Sequence, residues 1–140
     1  MIDRVLVAMD DSDLAERALR YALDAHGDDA ALTVIHVVGG PSPMMGAAVG
    51  LALSDDSDEE MRKAAAPVFE RAREIAAEHD VTVETVVEVG RPARGILDHA
   101  EEFDAVVLGT HSGSLADRLL VGNVAKTVFD RSPVPVTVVR

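Results

Sequence analysis

The chain has 140 residues, 48% of them apolar, and a formal charge of −12 at pH 7. That length suits one domain with a buried core, residues 1–140, and does not comfortably hold two. So negative a surface argues against nucleic acid or an anionic membrane as partner, and a chain without cysteine has no disulfide, thiolate nucleophile or Cys-based metal site.

Met1-Ile2-Asp3-Arg4 runs straight into a strand-like segment without a basic region followed by an apolar run, so no signal peptide is read and the cytoplasm is the expected compartment. Val5 to Met9 is apolar on both faces, as a central parallel strand should be. Ser12 is a good helix N-cap. After it Ala15, Ala18, Leu19, Ala22 and Leu23 recur at helical spacing until Gly27 ends the helix. Ala31 to Val38 reads as a second buried strand.

Gly39 to Ser57 breaks the rhythm with glycines, prolines and Met44 and Met45, and is too long for an ordinary connection. Its apolar residues Val49, Leu51 and Leu53 suit a lid, a partner-facing patch or a disordered loop. The acidic run Asp55 to Glu60 suits a helix start rather than a calcium loop, and Ser57 with Glu60 matches a capping box. The helix then reaches about His79, with Pro67 either kinking it or marking its true first turn.

Val81 to Val89 alternates, with Val81, Val83, Thr85, Val87 and Val89 on one face, and reads as an edge strand. Gly90-Arg91 turns the chain and Pro92 opens a short helix through Ile96, Leu97, Ala100 and Phe103. Asp104 to Leu108 is the fourth strand, ending at Gly109. A loop to about Gly122 leads to a last helix with Val124, Ala125, Val128 and Phe129 on its inner face, and Pro133 to Val139 is the fifth strand. Strict β-α alternation predicts an α/β fold: a doubly wound, open, parallel five-stranded sheet with right-handed crossovers. No segment reaches the roughly 18 apolar residues of a membrane span.

In the common strand order 3-2-1-4-5, the ends of strands one and four meet at the switch point where such folds bind ligands. Asp10 stands there as a carboxylate able to accept from an adenine or a ribose, or as part of the cap of the first helix together with Asp11 and Ser12. Gly109 to Val124 carries glycines that let backbone approach a phosphate, and the helix after it offers unpaired N–H groups. It is not a Gly-x-x-x-x-Gly-Lys-[Ser/Thr] loop. Taken alone it reads more simply as a glycine-bearing surface loop with Asn123 as N-cap.

The five-stranded order, the Val-Ala-Met-Asp-Asp-Ser start, the Ile-His-Val end of strand two, the Gly-Arg-Pro turn and the closing Pro-Val-Pro-Val-Thr-Val-Val strand together resemble the universal stress protein family, over essentially the whole chain. The resemblance implies a Rossmann-like fold of the adenine-nucleotide alpha-hydrolase-like class. ATP-binding members carry Gly-x2-Gly-x9-Gly-[Ser/Thr]. Gly109 and Gly122 fit its first and last glycines, whereas Ser112 stands at its second glycine, with Gly113 one residue late, and Asn123 at its hydroxyl. The implied adenine contacts are Asp10 and Val37, the ribose contact Gly109, and the phosphate contacts Ser112, Gly122, Asn123 and Val124, with His111 in the loop-histidine position. The implied ligand is ATP or AMP, with Mg2+ if ATP. The implied partner is a second copy, paired through strand five (Val134 to Val139), which Pro133 and Pro135 confine to its later residues.

His26, His36, His79 and His99 lack a His-x3-His spacing or a carboxylate partner that would suggest zinc, and His36, in a buried strand, reads as a satisfied core residue. No metal site and no catalytic residue is assigned. Without a placed general base or arginine finger, the chain is expected to manage at most slow ATP hydrolysis or self-phosphorylation. Three readings follow: a nucleotide-responsive dimeric stress module; an interaction protein of the same fold with an unknown protein partner, its nucleotide motif altered at Ser112 and Asn123; and a phosphotransferase or hydrolase using Asp10 with a divalent ion. Eleven arginines against Lys63 and Lys126, beside 25 acids, also suggest a protein adapted to high salt.

Overall fold

A computed structural model describes residues 1–39, 57–110 and 122–140. In chain order the elements are β1 (Arg4–Ala8), α1 (Asp13–His26), β2 (Ala31–Val38), α2 (Ser57–Ala77), β3 (Glu84–Val89), α3 (Pro92–Ala100), β4 (Ala105–Gly109), α4 (Asn123–Arg131) and β5 (Val136–Val139). The strands form one parallel sheet in the order β3-β2-β1-β4-β5, as the alternation predicts. Among the described residues no helix is long and apolar enough to cross a membrane.

Two apolar layers hold the helices to the sheet. On one face Val5, Val7, Leu32 and Val34 meet α1 and α2 through Leu19, Leu23, Phe69 and Ile75. On the other Leu6, Ile35 and Val106 meet α3 and α4 through Ile96, Ala100 and Val128. Successive strand residues point to opposite faces, so β1 and β4, buried on both, read as continuous apolar runs. β3 is an edge and is correspondingly half-exposed, with Val89 50% exposed.

Several expectations change in detail: β3 begins at Glu84 rather than Val81, α3 ends at Ala100 rather than Phe103, and β5 begins at Val136 rather than Pro133. Pro67 lies inside α2, so it does not mark the first turn. It is exposed there, while the residues that follow it, Val68 and Phe69, are buried. The helix ends at Ala77 rather than His79. The Val81 N–H donates to the Ala76 carbonyl and the Asp80 N–H to that of Ala77, with Asp80 at φ +56°. This is a Schellman ending with an aspartate in the left-handed position that glycine usually fills. Phe129, expected on the inner face of α4, is 63% exposed. One residue on from Val128 is a rotation of about 100°, which carries Phe129 off the stripe formed by Val124, Ala125 and Val128. The segment from residue 40 to 56, with its Met-rich and acidic parts, lies outside the described residues, as does the Ser57 side chain of the expected capping box.

Candidate functional site

β1 and β4 pair side by side from Val5 with Ala105 to Val7 with Val107. Beyond that register they part, because β1 leads to α1 on one face and β4 to α4 on the other. The parting leaves a crevice of 120 Å³ at the carboxyl ends of the strands. Its walls are mostly apolar: Ile35 and Val37 from β2, Ile96 from α3, Leu108 from β4 and Val124 from α4. Asp10 and Ser12 supply polar groups at its rim.

Asp10 is half-buried, and its Oδ1 accepts from the Ser12 N–H at 2.9 Å. Ser12 Oγ in turn accepts from the Ala15 N–H at 3.1 Å and caps α1. The turn that Asp10 makes with Ser12 is the one the capping reading expects. One oxygen braces the turn, and Oδ2 has no hydrogen-bond partner among the described residues. Met9, just before it, is fixed twice: its N–H donates to the Ile35 carbonyl at 2.9 Å, and its own carbonyl lies 2.8 Å from His36 Nδ1. His36 is half-buried and satisfied, as expected, but it also borders the crevice. With Nδ1–H donated to a carbonyl, the neutral ring keeps Nε2 as an acceptor.

In a parallel sheet the crossover helices run back against the strands, so their positive N-terminal ends gather at the crevice end. The three nearest differ. α1 carries Asp13 and Glu16 in its first turn and a serine cap. α3 and α4 have no acidic residue in the first turn and no side-chain cap, and α3 opens with Pro92, which has no N–H. Of the three, α4 alone has N–H groups at its start with neither a side-chain cap nor a first-turn acid nor a proline among the described residues, which suits an anion. Its start is tied to β4: the Gly122 N–H donates to the Thr110 carbonyl at 2.7 Å, and the Thr110 N–H to the Val139 carbonyl at 2.8 Å. Gly122, not Asn123, is the N-cap, and Asn123 is the exposed first residue of the helix.

Of the positions marked in the sequence, Asp10, Val37, Gly109 and Val124 all line this crevice. Gly122 and Asn123 sit at the adjoining start of α4. His111 and Ser112, with Gly113, lie outside the described residues. Gly109 also has a packing reason to be glycine, since a Cβ there would stand 3.1 Å from Leu14 Cβ and 3.2 Å from the Leu14 backbone.

Sequence reasoning passed over Gly95 on α3, where an added Cβ would meet Val37 Cγ2 at 2.9 Å. A glycine inside an otherwise helical pattern is the signal that could have found it. It also missed carboxylate partners for two histidines. His99 Nε2 lies 2.6 Å from Glu88, and His79 Nε2 lies 3.0 Å from Asp24. His99 also has Glu102 3.9 Å from its Nδ1, whereas His79 faces Asp24 alone among the carboxylates of the described residues. Among the described residues no three His, Asp or Glu side chains converge on a metal-sized space.

The family model described as "Universal stress protein family" matches residues 1–140. The chain is similar to universal stress protein YxiE of Bacillus subtilis, at 32% identity over the full length of both. Among solved structures it is similar to universal stress protein UspA from Lactobacillus plantarum, at 27% identity and a TM-score of 0.76, covering 99% of this chain and 98% of that one. It is also similar to the universal stress protein from Archaeoglobus fulgidus in complex with dAMP, at 25% identity and a TM-score of 0.70, covering 100% and 98% of the two chains. The strand order, the crevice at its switch point and these likenesses along the whole chain agree: this protein belongs to the universal stress protein family.

Proposed function

We propose that the chain is a nucleotide-responsive stress module that holds an adenine nucleotide, AMP or ATP, in the crevice between the ends of β1 and β4. The observation that carries this reading is the Asp10 carboxylate at the rim of an apolar slot, with one oxygen unengaged among the described residues. An adenine has apolar faces and a donor edge, so Ile35, Val37 and Ile96 suit its ring and Asp10 its amino group or the ribose hydroxyls. Gly109 lies where the ribose would pass. Gly122, Asn123 and Val124 open α4, whose first turn has no acid, which suits the phosphates, and Ser112 and His111, outside the described residues, are the further contacts of this reading. The dAMP complex of the Archaeoglobus fulgidus relative supports the ligand class.

The module acts as a homodimer, with the outer edge of β5 (Val136–Val139) pairing with that of a second copy. Two features support this: β5 is the terminal strand of the sheet, and its valines are half-exposed. Nucleotide occupancy at Gly122–Val124 would reach the dimer edge through the Gly122–Thr110–Val139 hydrogen-bond relay. The module's role is binding rather than turnover, with at most slow ATP hydrolysis or self-phosphorylation.

Calorimetry with AMP, and with ATP plus Mg2+, in molar salt tests the reading. Micromolar binding that Gly122→Val abolishes is the expected result. A second reading, an interaction protein that has given up the nucleotide, is favoured by Asn123 standing exposed where ATP-binding relatives carry Ser or Thr. No binding by the natural chain, with binding restored by Ser112→Gly plus Asn123→Ser, would establish that reading instead.

A further inference from the structure

We propose that Gly95 is a positioning residue for the crevice: by carrying no side chain it holds Val37 in place as the β2 wall. The inference rests on the adenine-nucleotide reading for its ligand, but not for the contact itself.

Gly95 lies inside α3, one residue before Ile96 and three after Pro92, and both of these line the crevice with Val37. Its backbone is helical and its N–H donates to the Arg91 carbonyl at 3.0 Å, so nothing in its conformation calls for glycine. Helix propensity alone favours alanine there. Space is what excludes alanine. A Cβ at position 95 would lie 2.9 Å from Val37 Cγ2, 3.6 Å from Val37 Cγ1 and 3.5 Å from Glu88 Cβ. The first of these is closer than packed carbons approach, so either α3 lifts or Val37 moves.

Lifting α3 would unseat Ile96 and Ala100, which are 3% and 0% exposed against the core. Moving Val37 disturbs one half-buried side chain. Val37 therefore yields. It is β-branched and stiff at χ1, so it answers by changing rotamer rather than by a small adjustment. On its open side lies the crevice, and a methyl turned into 120 Å³ takes space from a planar ring. Gly95 thus sets how wide a base the slot admits, without touching the ligand.

The test is a double-mutant cycle with Gly95→Ala and Val37→Ala, read with and without AMP. In the ligand-free protein, Gly95→Ala is expected to lower Tm despite the better helix former, and to change the Val37 χ1 measured by methyl NMR. In the Val37→Ala background the same change should leave Tm unchanged or raise it. With AMP, Gly95→Ala should weaken binding by about tenfold, the effect of a misplaced methyl in an apolar pocket, and should cost nothing further once Val37 is alanine. A higher Tm for Gly95→Ala with Val37 unmoved overturns the proposal, as does a moved Val37 with unchanged AMP affinity. Failure of the unaltered protein to bind AMP would sink the nucleotide reading alone. The ligand-free arm would then decide whether Gly95 holds the wall.

Discussion

At the amino end of the sheet the Asp104 carboxylate accepts from the backbone N–H groups of both Asp3 and Arg4 through one oxygen, at 2.9 Å each. At the carboxyl end Asp10 accepts from one N–H, and its other oxygen is unengaged among the described residues. The helix ends follow the same division. α2 finishes at the amino end with its last carbonyls taken up by backbone N–H groups, whereas α3 and α4 begin at the carboxyl end without a side-chain cap. One end is closed by its own hydrogen bonds and stacking, with the Arg4 guanidinium 4.8 Å from the centre of the Phe103 ring. The other keeps polar groups in reserve. The difference separates what the fold needs from what a ligand can use.

The largest effect expected is at the closed end. Phe103 is 5% exposed, and Phe103→Ala should cost about 3–5 kcal/mol of stability in urea denaturation. The fraction that stays folded should bind AMP as before. A loss of affinity in that folded fraction would show that the two ends are not independent.

The two aspartates should answer differently to the loss of their charge. The hydrogen bonds from the Asp3 and then the Arg4 backbone, helped by the charge of the N-terminus, hold the Asp104 carboxyl below the usual carboxylate range. A carboxylate depressed on folding contributes stability that is present above its unfolded pKa of about 3.9 and is lost as pH falls through the folded value. Asp104→Asn should therefore lower Tm at neutral pH, and the gap from the unaltered protein should close as the buffer is taken below the folded pKa. Asp10→Asn should behave in the opposite manner. Its amide oxygen can still accept from Ser12, so Tm should hardly move. AMP affinity should fall by about tenfold or more, the worth of a charged hydrogen bond of roughly 1.5–3 kcal/mol. Equal effects of the two substitutions on Tm would remove the distinction between the ends.

The core was legible in the sequence because burial writes a period into it, whereas the hydrogen bonds that close the amino end, from Asp3 and Arg4 to Asp104, join residues a hundred positions apart and leave no such period. Continuous apolar runs gave β1, β2 and β4, and alternation gave β3 as an edge. Pro92 opened its helix where expected. Asp10 was legible by position, since strand order alone brings it to the switch point. Gly95 showed only as a glycine inside a helical pattern, because its reason, room for a valine of another element, is a tertiary fact that no local pattern carries. The pairing of His99 with Glu88 has the same character. Phe129 fails the other way: an apolar residue beside a helical stripe looks like part of it until the 100° turn is placed on a real axis.

The smallest effect belongs to the turn that closes α2. Asp80 at φ +56° occupies the left-handed region, which costs a residue with a Cβ roughly 1–2 kcal/mol, less for aspartate because its short side chain can bond locally. Glycine removes that strain but gives the unfolded chain more freedom, which returns part of the gain. Asp80→Gly should therefore raise stability by no more than about 1 kcal/mol, while Asp80→Val should lower it by more than that, because a β-branched side chain has no comfortable rotamer at positive φ. Both should leave AMP affinity unchanged, because the turn lies at the opposite end of the sheet from Asp10. A shift in affinity with Asp80→Gly would mean that strain at the closed end is transmitted along β3 to the crevice, and the two ends would have to be treated as one coupled unit.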